Sequence, residues 1–381
     1  MGNRKAAAAG HRGRFRVGED AIVDVLESAL LQSSGDPRLT HGFHTYPAGL
    51  HPHAARDLVQ MFEADRMLDP FCGGGTTLIE GRVAGMTTYG CDISPIALLV
   101  AKARTATPDD AELTRFRSTA RKLTEAARYA KEVPPEPIFE AVDKWYARHA
   151  LWELESIRKG ITEADSSVQD QLWAAFSSLL IKVSWRASDT SNKREKHRRP
   201  AGTTAILFHK KVRELARRQA SLRDEVPEGT PPSDIQFCDA REVQLSEPVQ
   251  LVVTSPPYPS TYDYLPLQHL RHVWLSEQQP DWAAEIGPRR DWRQGDKEAR
   301  KRWQEDTARW TARAAEALEP GGHLIVVIGD GLTPRGGVDT AGATEGSAVA
   351  AGLTMVGRAS VERPDHARST VRWEHAFAFR K

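Results

Sequence analysis

Five consecutive residues, Thr254, Ser255, Pro256, Pro257 and Tyr258, set a hydroxyl, a donor-free backbone carbonyl and an aromatic face directly after the apolar run 249–253. Two prolines can continue neither a ladder nor a helix, so a strand that stops here presents its tip to a cleft, where doubly wound sheets meet their ligands. The set suits a flat, weakly nucleophilic amine. The Ser255 hydroxyl and the Pro256 carbonyl would accept its two hydrogens and favour a tetrahedral nitrogen with a free lone pair, while Tyr258 stacks on the attached ring. Taken alone, the five residues also read as a proline-rich turn after a core strand.

A second constellation lies far upstream. A short strand at 66–69 runs into Pro70, Phe71, Cys72, Gly73, Gly74, Gly75, Thr76 and Thr77, followed by a helix at 78–84. Three glycines let backbone approach a ligand closely, and the helix start adds free N–H groups and a favourable dipole. No Lys follows the glycines, which excludes a Walker loop, and Leu78 stands where a dinucleotide pattern needs a third glycine. A strand at 87–92 then ends in Asp92, Ile93, Ser94 and Pro95. Asp92, seventeen positions past Gly75, is placed to accept both ribose hydroxyls of an adenosine-containing cofactor. A strand at 236–239 ends in Asp239, Ala240 and Arg241, where the carboxylate would accept from an adenine amine or mark an exposed turn. His41, His44, His51 and His53 lack a carboxylate or thiolate at ligand spacing, so no metal site is expected.

The chain of 381 residues has room for one large domain with an insertion, or for two domains. A hydrophobic fraction of 40% and a charged fraction of 27% fit a globular enzyme. No run nears the eighteen or so apolar residues of a membrane span, and no apolar core follows the basic start, so a cytoplasmic protein without membrane partners is expected. Three cysteines without Cys-x-x-Cys spacing argue against a disulfide framework and a zinc site, and all three are expected to be reduced. The net charge of +1 does not call for a polyanion, but its distribution is uneven. Between Lys182 and Arg223 there are thirteen Lys or Arg against three Asp or Glu, with Lys193, Arg194, Lys196, Arg198 and Arg199 in one run. Such a run is either a solvated face or the electrostatic footprint of a phosphate-binding surface.

Periodicity supplies the remaining elements. Residues 1–20 read as a mobile basic arm, followed by a helix at 21–31 and a short one at 54–62. Helices at 112–130, 144–159 and 168–185 make the middle of the chain helical, with loops at 165–167 and 188–192. A helix at 303–318 and a strand at 323–328 follow. The glycine-rich 329–346 lacks an apolar pattern and is expected to be a mobile lid or disordered, and 353–361 and 375–379 close the chain as strands.

Asp69 to Thr77 resembles the S-adenosylmethionine-binding turn of DNA amino-methyltransferases, and Thr254 to Tyr258 resembles the catalytic motif of the members acting on cytosine N4. The segment 43–52 is similar to the one that closes over the methionine end of the cofactor in this family. Asp263, Tyr264 and the run from His272 to Leu275 resemble the helix after the catalytic motif. The resemblance implies a doubly wound, mostly parallel, seven-stranded Rossmann-like α/β sheet with an antiparallel edge hairpin, interrupted by a helical insertion. It covers roughly residues 40–105 and 232–381, which gives a cofactor-binding part at 40–108 and a catalytic part at 232–381; the basic arm and helix at 1–39 and the helical, basic recognition insertion at 109–231 are read from composition and periodicity alone. Carried over residue by residue, it assigns the cofactor to Tyr46, Pro47, Asp69, Phe71, Gly73, Gly75, Thr76, Thr77, Asp92, Ile93, Asp239 and Ala240. The chemistry falls to Ser255, Pro256, Pro257 and Tyr258. Beside such a site, the charge of the run 193–199, rather than the resemblance, makes it the expected contact to nucleic acid. The implied activity is methylation of cytosine N4 in DNA by a modification enzyme, which companion restriction or defence proteins would accompany. Methylation at cytosine C5 is excluded because no Pro-Cys pair supplies the nucleophile. Adenine N6, an RNA base, or a nucleic-acid binder with a degenerate cofactor pocket stay open as alternatives.

Overall fold

Eight strands form one sheet: β1 Arg14–Gly18, β2 Arg66–Asp69, β3 Thr87–Asp92, β4 Asp234–Phe237, β5 Val249–Thr254, β6 Leu318–Gly329, β7 Thr354–Asp365 and β8 Thr370–Arg380. Their order across the sheet is β1-β7-β8-β6-β5-β2-β3-β4. The five strands β6-β5-β2-β3-β4 are parallel, and β8, β7 and β1 continue antiparallel. The computed structural model describes residues 13–32, 38–44, 46, 49–188, 191–275, 281–333, 335–365 and 370–381.

Alternation along the central strands loads both faces of the sheet. Met67, Leu251, Val253, Ile325 and Val327 face the helices α1 Asp20–Leu31 and α2 Pro52–Val59. Their neighbours Leu68, Val252, Leu324 and Val326 pack on the opposite side with Trp303 and Trp310. These strands are therefore buried on both faces, as continuous apolar runs require. The chain leaves β2 toward β3 and β4, then returns to β5 on the other side of β2. That reversal opens a crevice at the carboxyl ends of β2 and β5.

Local signals explain the flanking helices. α3 Thr76–Val83 starts at Gly75, whose φ of 76° is left-handed and suits a residue without a side chain. α4 Pro95–Thr105 is capped by Ser94, which accepts from the Ala97 N–H at 3.3 Å, with Pro95 in the first turn. α5 Asp110–Ala127 opens with a reciprocal capping box between Asp109 and Glu112. α6 Arg148–Thr162, α7 Ser166–Val183 and α8 Thr203–Glu225 follow, and with α5 they bury Phe116, Leu154, Phe176 and Phe208 in a core of their own. α9 Asp296–Ala317 and α10 Thr340–Ala350 cover the second face of the sheet.

Four expectations are corrected. The sheet has eight strands rather than seven, because β1 adds to β7 at the edge. Within the expected mobile arm, Arg14 and Arg16 pair with Glu27 of α1, so ladder bonds and ion pairs hold a segment that buries almost nothing; residues 1–12 lie outside those described. The described residues of 329–346 hold secondary structure: a small hairpin of Gly331–Thr333 with Gly336–Val338, then α10, capped by Asp339. That helix packs through Ala341, Thr344 and Ala348, small side chains that a search for large apolar residues passes over. Finally, Cys91 and Cys238 form a disulfide, with Cα atoms 5.5 Å apart. The pairing of β3 with β4 brings together residues 147 positions apart, which spacing rules cannot see. Cys72 is free and buried.

Candidate active site

The tips of β2, β3, β4 and β5 surround a cavity of about 350 Å³. The turn after β2 forms its floor. Gly73, at a left-handed φ of 49°, gives its N–H to the Asp92 carboxylate at 3.0 Å. The other Asp92 oxygen accepts from Ser94 N–H at 2.8 Å, so the carboxylate is fixed at the mouth of β3. Burial pushes the Asp92 carboxyl up to about 6, against the backbone hydrogen bonds that pull it down.

Asp69 is a tie between elements. It accepts from Phe71 N–H at 3.0 Å, from the Thr77 hydroxyl at 2.5 Å and from the Thr254 hydroxyl at 2.8 Å. One buried carboxylate thereby joins the glycine turn, the start of α3 and the end of β5. Burial pushes it too up to about 6. Asp239 also lines the cavity, but its carboxylate is committed to Arg241, whose Nε lies 2.9 and 3.1 Å from its two oxygens. Arg241 continues to Asp306 at 2.7 Å. These bonds hold the Asp239 carboxyl below its usual range, against burial.

Ser255 follows β5 and lines two cavities, the main one and a smaller one of about 200 Å³ that also contains Tyr258. The Tyr258 hydroxyl donates to Glu374 of β8 at 3.0 Å. Glu374 in turn pairs with Arg363 at 2.5 Å. The Tyr258 ring lies against Gly329, where a Cβ would come within 2.7 Å of it. Burial and the Glu374 charge hold the phenol far above its usual range.

Of the residues expected to hold the cofactor, Tyr46, Asp69, Phe71, Gly73, Thr76, Thr77, Asp92, Ile93, Asp239 and Ala240 all line the main cavity. Gly75 does not; it turns the chain into α3, where a Cβ would press on Ala101 at 3.1 Å. Pro47 lies outside the described residues. Pro257 lines the main cavity and Pro256 is buried behind it. The basic run is not helical: Arg186–Ser188 and Ser191–Arg194 form a hairpin, from which Arg194 and Lys196 lie over the Trp185 ring at 4.8 and 5.2 Å. Lys193 pairs with Glu195, Arg199 donates to the Lys182 carbonyl, and Arg198 is exposed. Sequence reasoning passed over Arg104 and Glu285, which line the main cavity, and Glu374, which holds Tyr258. None carries a local motif, and each reaches the site through a long-range contact.

The cavity has the size, the glycine cradle and the fixed carboxylate that an adenosine-containing cofactor requires. At Gly74 a Cβ would stand 2.6 Å from the Arg104 guanidinium, so the cradle is closed to any side chain. Residues 43–144 match a family described as UPF0020, RMKL-like, methyltransferase domain. The matched stretch carries the glycine turn and Asp92, so the cofactor side of the cavity lies in the part of the chain that is similar to a methyltransferase domain. The chain is also similar to two type II methyltransferases. It is 28% identical over 186 residues to the type II methyltransferase M.MvaI of Kocuria varians, covering 46% of this chain and 40% of that one. It is 27% identical over 105 residues to the type II methyltransferase M.MjaII of Methanocaldococcus jannaschii, covering 25% and 19%. The chain thus spans less than half the length of the curated relatives it matches. A solved rRNA methyltransferase, aviRa from Streptomyces viridochromogenes, aligns over 95% of this chain and 93% of that one, at 13% identity and a TM-score of 0.33.

Proposed function

We propose that the protein methylates the exocyclic N4 amine of cytosine in DNA. The observation that carries this reading is the position of Ser255, on the partition between the cofactor cavity and the smaller cavity that contains Tyr258. An amine seated there would face the cofactor on one side and its own ring system on the other. S-adenosylmethionine, when bound, supplies an electrophilic methyl group on a sulfonium. Asp92 would hold its ribose, and Tyr46, Thr76 and Phe71 would line its walls.

The residues of the chain do the rest. Ser255 and the carbonyl of Pro256 would accept the amine hydrogens, so that the lone pair leaves the ring system and points across the partition. Glu374 keeps Tyr258 in one orientation through its hydroxyl, which fixes the ring against which an extruded base would stack. A serine at this motif position favours cytosine by the resemblance, since family members acting on adenine usually carry Asp or Asn there.

Two basic surfaces support a polyanionic substrate. One is the hairpin with Arg194 and Lys196. The other is a groove between α5 and α8 lined by Arg117, Arg121, Lys210, Arg213 and Arg217, with Glu214 as its one carboxylate. Lys210 and Lys211 are consecutive and so stand about 100° apart on the helix. One faces this groove; the other lines a depression that begins at Gly42 and His44 on the rim of the cofactor cavity. The reading of 109–231 as a recognition insertion draws on this path. Expression in a host followed by sequencing with base-modification detection tests the proposal. It predicts N4-methylcytosine in a defined sequence context, and an unmodified genome would overturn it.

A further inference from the structure

Arg104 lies on α4, only 5% exposed, at one end of the cofactor cavity. Its Nη2 lies 3.4 Å from both His41 Nδ1 and the Thr76 hydroxyl, and its Nε has no partner. No carboxylate lies within reach of the guanidinium among the described residues. The nearest acid of its network, Glu80, is engaged by His41 at 2.7 Å and Arg56 at 3.3 Å. Because the His41 Nε2 side meets that carboxylate, the tautomer that leaves Nδ1 as an acceptor for Arg104 is the consistent one.

A buried cation without a counter-ion is a costly arrangement, and buried arginines are normally paired. Arg241, in the same crevice, has two carboxylates. Arg104 has none, and it still carries its charge at neutral pH, since burial brings it down only to about 10. Glycine at position 74 leaves the guanidinium uncovered, because any side chain there would meet Nη1. The adjacent α3 start, with Thr76 in its first turn, adds N–H groups and a favourable dipole.

We propose that Arg104, with Thr76 and the start of α3, forms a carboxylate subsite that binds the α-carboxylate at the methionine end of the cofactor. The proposal rests on the S-adenosylmethionine reading of the cavity. Asp92 is bonded to Gly73, and Arg104 lies against Gly74, the next residue of the same turn. An anion-seeking group and a hydroxyl-seeking group at successive residues of one turn distinguish the two ends of the cofactor.

Calorimetry with S-adenosylmethionine and decarboxylated S-adenosylmethionine tests this, because the second ligand keeps the sulfonium and the ammonium and lacks only the carboxylate. Wild-type protein should prefer S-adenosylmethionine by between about ten- and a hundredfold, the range for a hydrogen-bonded charge pair. Arg104→Met should bind the two ligands within about twofold of each other, its affinity for the decarboxylated one unchanged, and Arg104→Lys should fall between. Without ligand, Arg104→Met should melt no lower than wild type, since it removes an unpaired buried charge. Equal affinity of the wild type for both ligands, an undiminished preference in Arg104→Met, or a lower melting temperature of that variant would overturn the subsite. Wild-type protein that binds neither ligand would overturn the cofactor reading along with it.

Discussion

The strand tips and the helical insertion differ in how their charged side chains are held. At the tips, Asp69, Asp92 and Asp239 each have fixed hydrogen-bond partners and are largely withdrawn from solvent. On the insertion, Arg117, Lys210, Arg213 and Arg217 are exposed, and none has a carboxylate partner among the described residues. Preorganised groups act through geometry, so a change to one of them should be large and local. Exposed cations act through summed charge, so each change should be small and depend on salt.

The largest effect is expected at Ser255. Ser255→Ala should lower turnover by about a hundredfold, the low end for loss of a group that handles protons in the transition state, with cofactor affinity nearly unchanged. Single-turnover kinetics and calorimetry separate the two quantities, and a parallel loss of cofactor affinity would move Ser255 out of the chemical step. Next comes Asp92→Ala, which removes a fixed acceptor and should weaken cofactor binding by about tenfold or more. Gly75→Val should weaken it through the turn instead, by straining a left-handed residue against Ala101. Near-wild-type binding in both variants would break the assignment of the cavity.

A pH dependence follows from the same burial. The Asp92 carboxyl is raised to about 6 in the fold, above its ordinary value, so the folded chain binds a proton that the unfolded chain releases. The sign is therefore opposite to that of a salt-bridged acid: this group favours the ligand-free fold as pH falls from about 6 toward 4. Cofactor binding needs the ionised acceptor and should weaken as pH falls through about 6. In Asp92→Asn that part of the pH dependence should vanish; its persistence would assign the titration to another group, Asp69 first.

The smallest single effects belong to the insertion. Neutralising Arg194, Lys196 and Arg198 together should weaken DNA binding by several-fold at moderate salt and lower the salt slope by about 0.9 for each lost phosphate contact. Cofactor affinity should not change. An unaltered slope would return the hairpin to a solvated face.

What was legible in the sequence follows the same division. Asp69 to Thr77 and Thr254 to Tyr258 could be read because a turn, its glycines or prolines and the preceding apolar strand occupy a few consecutive residues. The parallel strands and the edge hairpin could be read for the same reason. The partners of those residues could not. Glu374 reaches Tyr258 across the sheet, Cys91 meets Cys238 through strand pairing, and Arg241 claims the carboxylate that a view of Asp239 alone leaves free. Such contacts are decided by strand order and side-chain reach, and no local pattern encodes them. Helix α8, 23 residues long, was hidden by its charge: its buried positions, such as Ala205, Phe208, Val212 and Leu215, are interleaved with the cations that drew attention.

The central claim is that Ser255 stands at the point of methyl transfer to a cytosine amine in DNA. It is tested most directly by incubating purified protein with methyl-labelled S-adenosylmethionine and unmethylated DNA, digesting to nucleosides and separating the products by mass spectrometry. Label is expected in N4-methylcytosine from the wild type and about a hundredfold less from Ser255→Ala. Label in N6-methyladenine alone, or label that enters RNA and never DNA, would contradict it.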